Sequence, residues 1–438
     1  MSVPPAGGAL MSNPAREERQ IVYDWNQIQS APKPAQPFDF DDESLRDGVQ
    51  SPSVTDPPLA AKIELLELME SIGVRSVDIG LPGAGKRAFE DVVALAQHIQ
   101  KRKLKLEPNC AARTVLSDIK PVAEAVQKSG QKIVLYTFIG SSPIRQYAET
   151  WDLDFILKAS TEAIDFGIKE GLQVAYVTED TTRASPPNLE RLFRNAIDHG
   201  ASRLVLCDTV GHATPEGTAA LIGWTRSLIA GTGAEVKIDW HGHNDRGLAV
   251  GNAIAALQAG VHRVHACGLG IGERVGNTSM DLLLLNLKLM GWIDYDLGQL
   301  VAYVRKVSEA CKFPIPRNYP LSGADAFRTA TGVHAAAIVK AKARGDDWLA
   351  DRVYSGVPAG EFGRQQEIEI GHMSGMSNVK YWLESRGISF TDEMCKEILT
   401  VAKSCPTTLS EEEIIAVVER CGGRRNEGPR SPGDSVRA

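Results

Sequence analysis

The chain has 438 residues, 43% of them hydrophobic, which allows two or three domains or one barrel with an added region. Its formal net charge of −7 argues against a protein that binds nucleic acid or an anionic membrane surface. Seven scattered cysteines without a CxxC pair favour a reducing compartment, and no apolar run is long enough to cross a bilayer. We therefore expect a cytoplasmic protein that acts on small molecules.

Both ends of the chain have the composition of flexible segments. Residues 1–35 are rich in Pro, Ala, Ser and Gln, which predicts a flexible N-terminal arm without the apolar centre of a secretory signal. Residues 422–438, which read GGRRNEGPRSPGDSVRA, predict a disordered tail.

Between these segments, short apolar runs alternate with segments of helical composition. The runs are 37–45, 75–80, 104–108, 132–138, 172–178, 203–209, 236–242 and 262–267. Eight β-then-α units over about 250 residues predict a TIM (β/α)8 barrel, which we place at residues 36–290. A doubly wound open sheet is the alternative, but the first run is followed by Arg46 and Asp47 rather than by a GxGxxG turn. Residues 291–421 predict a smaller, mainly helical C-terminal region.

The seventh run ends in HGHND, which places two histidines at a spacing of two. Strand side chains alternate faces, so His241 and His243 point the same way, as two nitrogen ligands of one metal ion would. Two hydrogen-bonded histidines at a polar strand end are the alternative. Barrels build active sites at the C-terminal ends of their strands, and polar residues follow other runs as well. They are Arg46 and Asp47 after the first run, Glu179 and Asp180 after the fifth, and Asp208 and Thr209 after the sixth.

This pattern predicts a metal site. Asp47 is the natural carboxylate ligand, and Asn277 adds a candidate oxygen from the Gly-rich stretch after the eighth run. Mixed nitrogen and oxygen ligation does not select among Mg, Mn, Zn and Fe.

Five segments in this order resemble a known enzyme family: LRDGVQSP, TEDTTRASP, CDTVGHATPEG, HGHNDRGLAVGNAIAALQAG and GLGIGERVGN. Over residues 38–385 the chain is similar to the 2-isopropylmalate synthase and homocitrate synthase family of the DRE-TIM metallolyase group. The resemblance implies an acyltransferase that joins acetyl-CoA to a 2-oxo acid in a Claisen-type condensation and then hydrolyses the thioester. It also implies a divalent metal (Mg, Mn or Zn) that chelates the 2-oxo acid.

The resemblance assigns roles to residues of the predicted barrel. Asp47, His241 and His243 match the metal ligands, with Asn277 close to the metal, and Arg46 would stabilise negative charge on oxygen. An ion pair of Arg46 with Asp47 or Asp42 is the structural alternative. The remaining matches are the catalytic Glu179, the substrate-carboxylate contact Thr209, and the acetyl-CoA loop residues Gly270, Gly272, Glu273 and Arg274, the last two forming a pair. Asp180 and Asp208 are expected to be structural acceptors.

Two further matches fall in the predicted helical region, which corresponds to a lid. His334, in ATGVHAAAIVKA, would act as an acid or base together with Glu179, and Tyr354, in RVYSGVPAGEFG, matches the lid tyrosine. The lid of relatives crosses to the neighbouring subunit, so the resemblance implies a homodimer in which His334 completes the partner's site.

The chain departs from the family at several positions. Val49 replaces a glutamate, and no leucine-binding C-terminal domain follows, so we expect no leucine feedback and a homocitrate-like or specialised enzyme. Arg145 and His212 stand where leucine-pathway relatives often carry His and Tyr. They predict a 2-oxo acid with an anionic side chain, such as oxaloacetate, 2-oxoglutarate or phosphonopyruvate. The alternative is that both residues face solvent or contact CoA.

Two other functions remain open from the sequence. An acyl-CoA lyase of the same barrel group is the first, although such lyases usually place a cysteine in the loop after the eighth strand, and GLGIGERVGN has none. A non-catalytic barrel is the second, and the intact set of polar strand-end residues argues against it.

Overall fold

The computed structural model describes residues 21–27 and 33–423. The predicted arm and tail therefore lie mostly outside the described residues. The described chain divides into two compact units. The first comprises residues 33–326 and 361–363, and the second comprises residues 327–360 and 364–423 together with residues 21–27.

Eight parallel strands close into a barrel in chain order, which confirms the predicted TIM barrel. They are β1 (Asp39–Asp42), β2 (Ser76–Asp78), β3 (Glu107–Arg113), β4 (Val134–Gly140), β5 (Val174–Glu179), β6 (Arg203–Asp208), β7 (Lys237–Gly242) and β8 (Arg263–Ala266). Strand β1 closes the barrel against β8, with Asp39 opposite Arg263 and Asp42 opposite Ala266. The C-terminal ends of all eight strands therefore meet on one face.

Helices follow the strands around this unit. They are α1 (Leu59–Ser71), α2 (Lys86–Arg102), α3 (Leu116–Ser129), α4 (Pro143–Glu149), α5 (Leu153–Lys169), α6 (Pro186–Asp198), α7 (Pro215–Ala230), α8 (Ala249–Ala259), α9 (Met280–Leu289) and α10 (Leu300–Cys311). Several begin at a side-chain cap, such as Asp152 before α5 and Thr214 before α7. None of the described helices is long and apolar enough to span a bilayer.

The third strand differs from the prediction. The apolar run 104–108 was expected to form it, but β3 begins at Glu107 and extends to Arg113. Its buried positions are filled by small residues such as Cys110 and Ala111, which carry little of the β-branched character that marks strands. The preceding Leu104 and Leu106 lie outside the strand, after the left-handed C-cap of α2 at Lys103.

The barrel unit also continues beyond residue 290, where the prediction ended it. Helix α10 packs against α1. Its Tyr303 hydroxyl donates to the Asp42 carboxylate at 2.5 Å and lies 3.2 Å from the Ser44 hydroxyl. These buried hydrogen bonds attach α10 to the first strand, so α10 is a structural part of the barrel.

The second unit is mainly helical, as predicted. Its elements are β9 (Arg328–Thr329), α11 (Gly332–Ala343), α12 (Asp347–Arg352), β10 (Glu367–Ile368), α13 (Met376–Glu384), α14 (Asp392–Ser404) and α15 (Glu411–Arg420). The last three helices enclose an apolar core that includes Val379, Leu383, Ile398 and Ile414.

Five of the seven cysteines are buried and all seven are free thiols, in agreement with a role as core residues.

Candidate active site

Three predicted metal ligands come together where β1 and β7 end. Asp47 lies in the turn after β1, His241 lies in β7, and His243 follows that strand directly. One ligand atom from each lies within 4.8 Å of the other two. The two imidazole centroids are 5.0 Å apart, and His243 Nε2 is 3.6 Å from Asp47 Oδ2. All three side chains are buried, so they form a compact, sheltered donor set.

Unpaired polar atoms in this cluster fit a cation. Asn277 donates from Nδ2 to Asp47 Oδ2 at 2.8 Å and to the Ile271 carbonyl at 3.0 Å. Its Oδ1 is buried without a hydrogen-bond partner, and so is His243 Nδ1. A buried acceptor without a partner is costly, and mixed carboxylate, imidazole and amide donors suit a divalent cation. The residues present therefore fit the metal that the sequence predicts.

Arg46 is held by three carboxylates beside this cluster. Its guanidinium lies 2.6 Å from Asp78, 2.5 Å from Asp47 and 2.9 Å from Glu43. Burial alone would lower the pKa of Arg46, but these three carboxylates raise it well above its ordinary value. The ion pair considered with Asp42 does not form, because that carboxylate binds Tyr303. Arg46 is therefore a fixed positive charge next to the candidate metal ligands.

The sequence did not reveal the role of Glu43, which lies below the candidate ligands. Its carboxylate contacts His241 Nδ1 at 2.6 Å, His265 Nδ1 at 3.1 Å and Arg46 at 2.9 Å. Burial opposes its charge, yet His241, His265 and Arg46 hold the pKa of Glu43 well below its usual range. Burial likewise opposes the charge on His265, but Glu43 and Asp239 raise its pKa to about 10. Strand alternation gives a partial signal, because Glu43 comes two residues after Asp41 of β1 and His265 two residues after Arg263 of β8. The contact between Glu43 and His265 itself depends on the pairing of β1 with β8.

Glu179 ends β5 on the same face of the barrel. Burial raises its pKa, and the nearby cations of Arg145 and Arg46 lower it without offsetting the effect of burial. Arg145 lies in α4, forms an ion pair with Glu149 at 3.0 Å and is 47% exposed. A Cβ at Gly140 would collide with the Arg145 stem, so a glycine there lets the arginine lie across the end of β4.

The polar residues at the ends of β5 and β6 mostly form hydrogen bonds and ion pairs with residues close to them in sequence. Asp208 accepts from the backbone N–H groups of His212 and Ala213, and Asp180 pairs with Arg183 at 2.7 Å, as expected for structural acceptors. The Thr209 hydroxyl accepts from the Asp180 backbone N–H at 2.7 Å, which leaves its own proton free to donate. The His212 side chain is exposed.

Arg274 anchors the Gly-rich loop after β8 to the loops that follow β6 and β7. This side chain pairs with Asp245 at 2.8 Å and donates to the Thr209 carbonyl at 2.7 Å. The expected pair with Glu273 is present but longer, at 3.4 Å. Gly272 has a φ of +150°, and a Cβ there would collide with the Asn277 amide, while Gly270 has a φ of +61°. The two glycines therefore allow the loop to fold back onto Asn277.

Two predicted residues lie in the second unit. His334 is exposed on the first turn of α11, and its ring stacks on that of Tyr354, with centroids 4.1 Å apart and planes 27° apart. Tyr354 follows α12 and is 46% exposed. The two side chains thus form one exposed aromatic pair.

The chain and its fold are similar to those of known proteins. Residues 38–307 match the HMGL-like family. The chain is 29% identical over 399 residues to homocitrate synthase AksA of Methanopyrus kandleri, with 89% of this chain and 94% of the relative covered. It is 30% identical over 368 residues to a 2-isopropylmalate synthase of Sulfolobus acidocaldarius, with 83% of this chain and 89% of the relative covered. Its fold resembles that of hydroxymethylglutaryl-CoA lyase from Pseudomonas aeruginosa, with a TM-score of 0.53, 19% identity, and 64% of this chain and 93% of that chain covered.

Proposed function

The chain belongs to the HMGL-like family, and we propose that it is an acyltransferase that condenses acetyl-CoA with a 2-oxo acid in a metal-dependent Claisen-type reaction. Hydrolysis of the thioester then gives a 2-substituted malate. The similarity to a homocitrate synthase and a 2-isopropylmalate synthase over most of their lengths supports this reaction class. The observation that carries the proposal is the cluster of Asp47, His241 and His243, with Arg46 in contact with Asp47.

Different residues of the site would bind the metal, stabilise negative charge and bind the substrate carboxylate. A divalent cation held by Asp47, His241 and His243, with Asn277 beside it, would supply Lewis-acid polarisation of the 2-oxo acid. Arg46 adds a permanent charge that stabilises negative charge on the reacting oxygen. Thr209 has a hydroxyl proton available for the substrate carboxylate.

Proton transfer is assigned to Glu179 and His334. The raised pKa of Glu179 makes this carboxylate a stronger base than an exposed glutamate, which suits removal of a proton from the acetyl methyl group. We assign His334, with its stacked Tyr354, as the second acid–base group, contributed by the lid of a partner chain in a homodimer. The loop that carries Gly270 and Gly272 would approach the thioester of acetyl-CoA through its backbone.

We further propose that the 2-oxo acid carries an anionic side chain. Arg145 supports this, because its charge acts on Glu179 and its side chain is half exposed. His212 is exposed after β6 and would add a polar contact. Oxaloacetate, 2-oxoglutarate and phosphonopyruvate are the substrates of this class to test.

A lyase reaction in the reverse sense is less well supported. The resemblance to a solved lyase is at 19% identity and concerns the fold alone. Residues 268–277 contain no cysteine, and Cys267 is fully buried, with a pKa that burial raises well above its ordinary value. No exposed thiol is therefore available in this loop.

A thiol-release assay tests these alternatives. We expect free CoA from acetyl-CoA only when both a divalent cation and a 2-oxo acid are present, with higher kcat/KM for the dianionic acids than for 2-oxoisovalerate. A preference for 2-oxoisovalerate would remove the anionic-substrate proposal. Cleavage of a 3-hydroxyacyl-CoA leaves acetyl-CoA and no free thiol, so formation of acetyl-CoA from such a substrate would be measured separately and would favour the lyase. No turnover of any substrate would favour a non-catalytic barrel.

A further inference from the structure

Glu43 is a buried carboxylate that the proposed chemistry does not use. It is 3% exposed and lies on β1's C-terminal side, four residues before Asp47. Its two oxygens receive three donors: Oε2 contacts His241 Nδ1 at 2.6 Å, while Oε1 contacts His265 Nδ1 at 3.1 Å and Arg46 at 2.9 Å. Even a paired buried charge adds little net stability, so stability alone does not explain this arrangement.

A second cation is one explanation, because ligand atoms of Glu43, His241 and His265 also lie within 4.8 Å of one another. The contacts argue against it. Glu43 is at hydrogen-bond distance from both imidazoles, and the other nitrogen of His265 faces Asp239 Oδ2 at 3.2 Å. An imidazole between two carboxylates uses both nitrogens as donors and has no lone pair for a metal. The group is therefore a chain of hydrogen bonds.

We propose that Glu43 is a positioning residue that orients His241 as a metal ligand. By accepting a hydrogen bond from Nδ1, it fixes the tautomer and leaves the Nε2 lone pair for the cation shared with Asp47 and His243. A carboxylate on the distal nitrogen also increases the basicity of an imidazole ligand. The inference rests on the proposed function to the extent that it takes Asp47, His241 and His243 as the ligands.

Arg46, one partner of Glu43, lies in the turn after β1, but the two histidine partners of Glu43 lie on barrel strands. His265 lies in β8, and its second partner, Asp239, lies in β7 and pairs with Arg203 of β6. Strand-based side chains hold their orientation better than loop-based ones. The hydrogen-bond chain therefore connects the orientation of His241 to the rigid interior of the barrel.

Titration of the full-length protein with MnCl2, without organic substrates, tests the inference. We expect Glu43→Gln to weaken Mn²⁺ binding by about 10- to 100-fold, since glutamine offers one acceptor oxygen and turns an amide donor towards another donor. Glu43→Asp keeps the charge and should retain more affinity than Glu43→Gln. The matched control is Asp42→Asn, a neighbouring buried carboxylate that binds Ser44 and Tyr303 and should leave the Mn²⁺ affinity unchanged.

A second measurement on the wild-type protein covers the case in which the Glu43 variants do not fold. Histidine ¹⁵N chemical shifts of the Zn²⁺-loaded protein should show His241 protonated at Nδ1 and metal-bound at Nε2. Metal bound at Nδ1, or equal Mn²⁺ affinity in the wild type and Glu43→Gln, would overturn the inference and leave the proposed function standing. A wild-type protein that binds neither ion would overturn the proposed function and the inference with it.

Discussion

The interior of the barrel differs from the interior of the C-terminal helical bundle because it buries charged side chains beside apolar ones such as Val134, Ala175 and Val205. Charged groups are buried inside the barrel, among them Glu43, Arg203, Asp239 and His265. In the bundle of α13–α15, residues 376–423 are all described, and Asn378 is their single buried polar side chain. Its core consists of aliphatic, aromatic and sulfur-containing residues.

This difference indicates which region of the chain gives up folding stability in order to place charged groups for function. Burying an ion requires partners to offset the loss of hydration, and an apolar core of similar volume is often at least as stable. The charged barrel interior is explained if it orients ligands and substrates, whereas the bundle needs only to pack. Substitutions in the first region should therefore change chemistry, and substitutions in the second should change stability.

The largest effect is expected for Asp47→Ala. Removing this carboxylate takes away a candidate ligand and one partner of Arg46, so turnover should fall to background and bound metal should be lost. Metal analysis and the thiol-release assay would measure both effects. The control is Asp42→Ala, which removes a buried carboxylate that binds Tyr303 and should keep the metal. Full metal content and activity in Asp47→Ala would contradict the ligand assignment.

The next effect is expected for Glu179→Gln. Loss of the base should reduce kcat by about 10²- to 10⁴-fold while the metal is retained. Parallel measurement of kcat and Mn²⁺ affinity separates this result from that of Asp47→Ala. Glu170→Gln, an exposed position before β5, serves as the control. Normal kcat in Glu179→Gln would exclude the assigned role.

In the bundle, Leu383→Ala should act on stability alone. Leu383 is fully buried, so its truncation should lower the free energy of unfolding by about 2–5 kcal/mol. Mn²⁺ affinity at a temperature where the protein is folded should not change. Lys396→Ala, on the exposed face of α14, should have no effect on denaturation. A loss of metal binding in Leu383→Ala would contradict the claim that substitutions in the bundle change stability alone.

The smallest effect is expected in the pH dependence of kcat/KM. Burial raises the pKa of Glu179, so activity should be lost, as pH falls, at a higher pH than an ordinary glutamate would give. Arg145 lowers this pKa, and Arg145→Ala should therefore move the acidic limb further towards alkaline pH. Lys158→Ala removes an exposed cation of α5 and should leave the limb in place. A shift of the acidic limb to lower pH in Arg145→Ala would contradict the assignment of this limb to Glu179.

Much of the barrel could be predicted from the sequence because its strands follow simple rules. The histidine pair of β7 was recognisable, since a spacing of two places both rings on one face. The third strand was misplaced because small residues such as Ala111 and Ala112 fill its buried positions. Helix α10 was assigned to the lid because its attachment depends on packing against α1 and on the contacts of Tyr303 with Asp42 and Ser44, which no local pattern reveals.

The predicted site lacked its buried supports for a similar reason. Glu43 and His265 lie 222 positions apart in sequence and meet only because β1 and β8 close the barrel. Asp245 was not identified as the main partner of Arg274, since adjacent Glu273 offered a nearer charge in sequence. Contacts of this kind depend on closure of the barrel and on loop geometry.

Anomalous diffraction from crystals of the Zn²⁺-loaded protein would test whether Asp47, His241 and His243 hold one metal ion. We expect one strong peak among these three residues, at about 2.0–2.2 Å from a carboxylate oxygen and two imidazole nitrogens. A peak among Glu43, His241 and His265 instead, or no peak near the two histidines of β7, would contradict it.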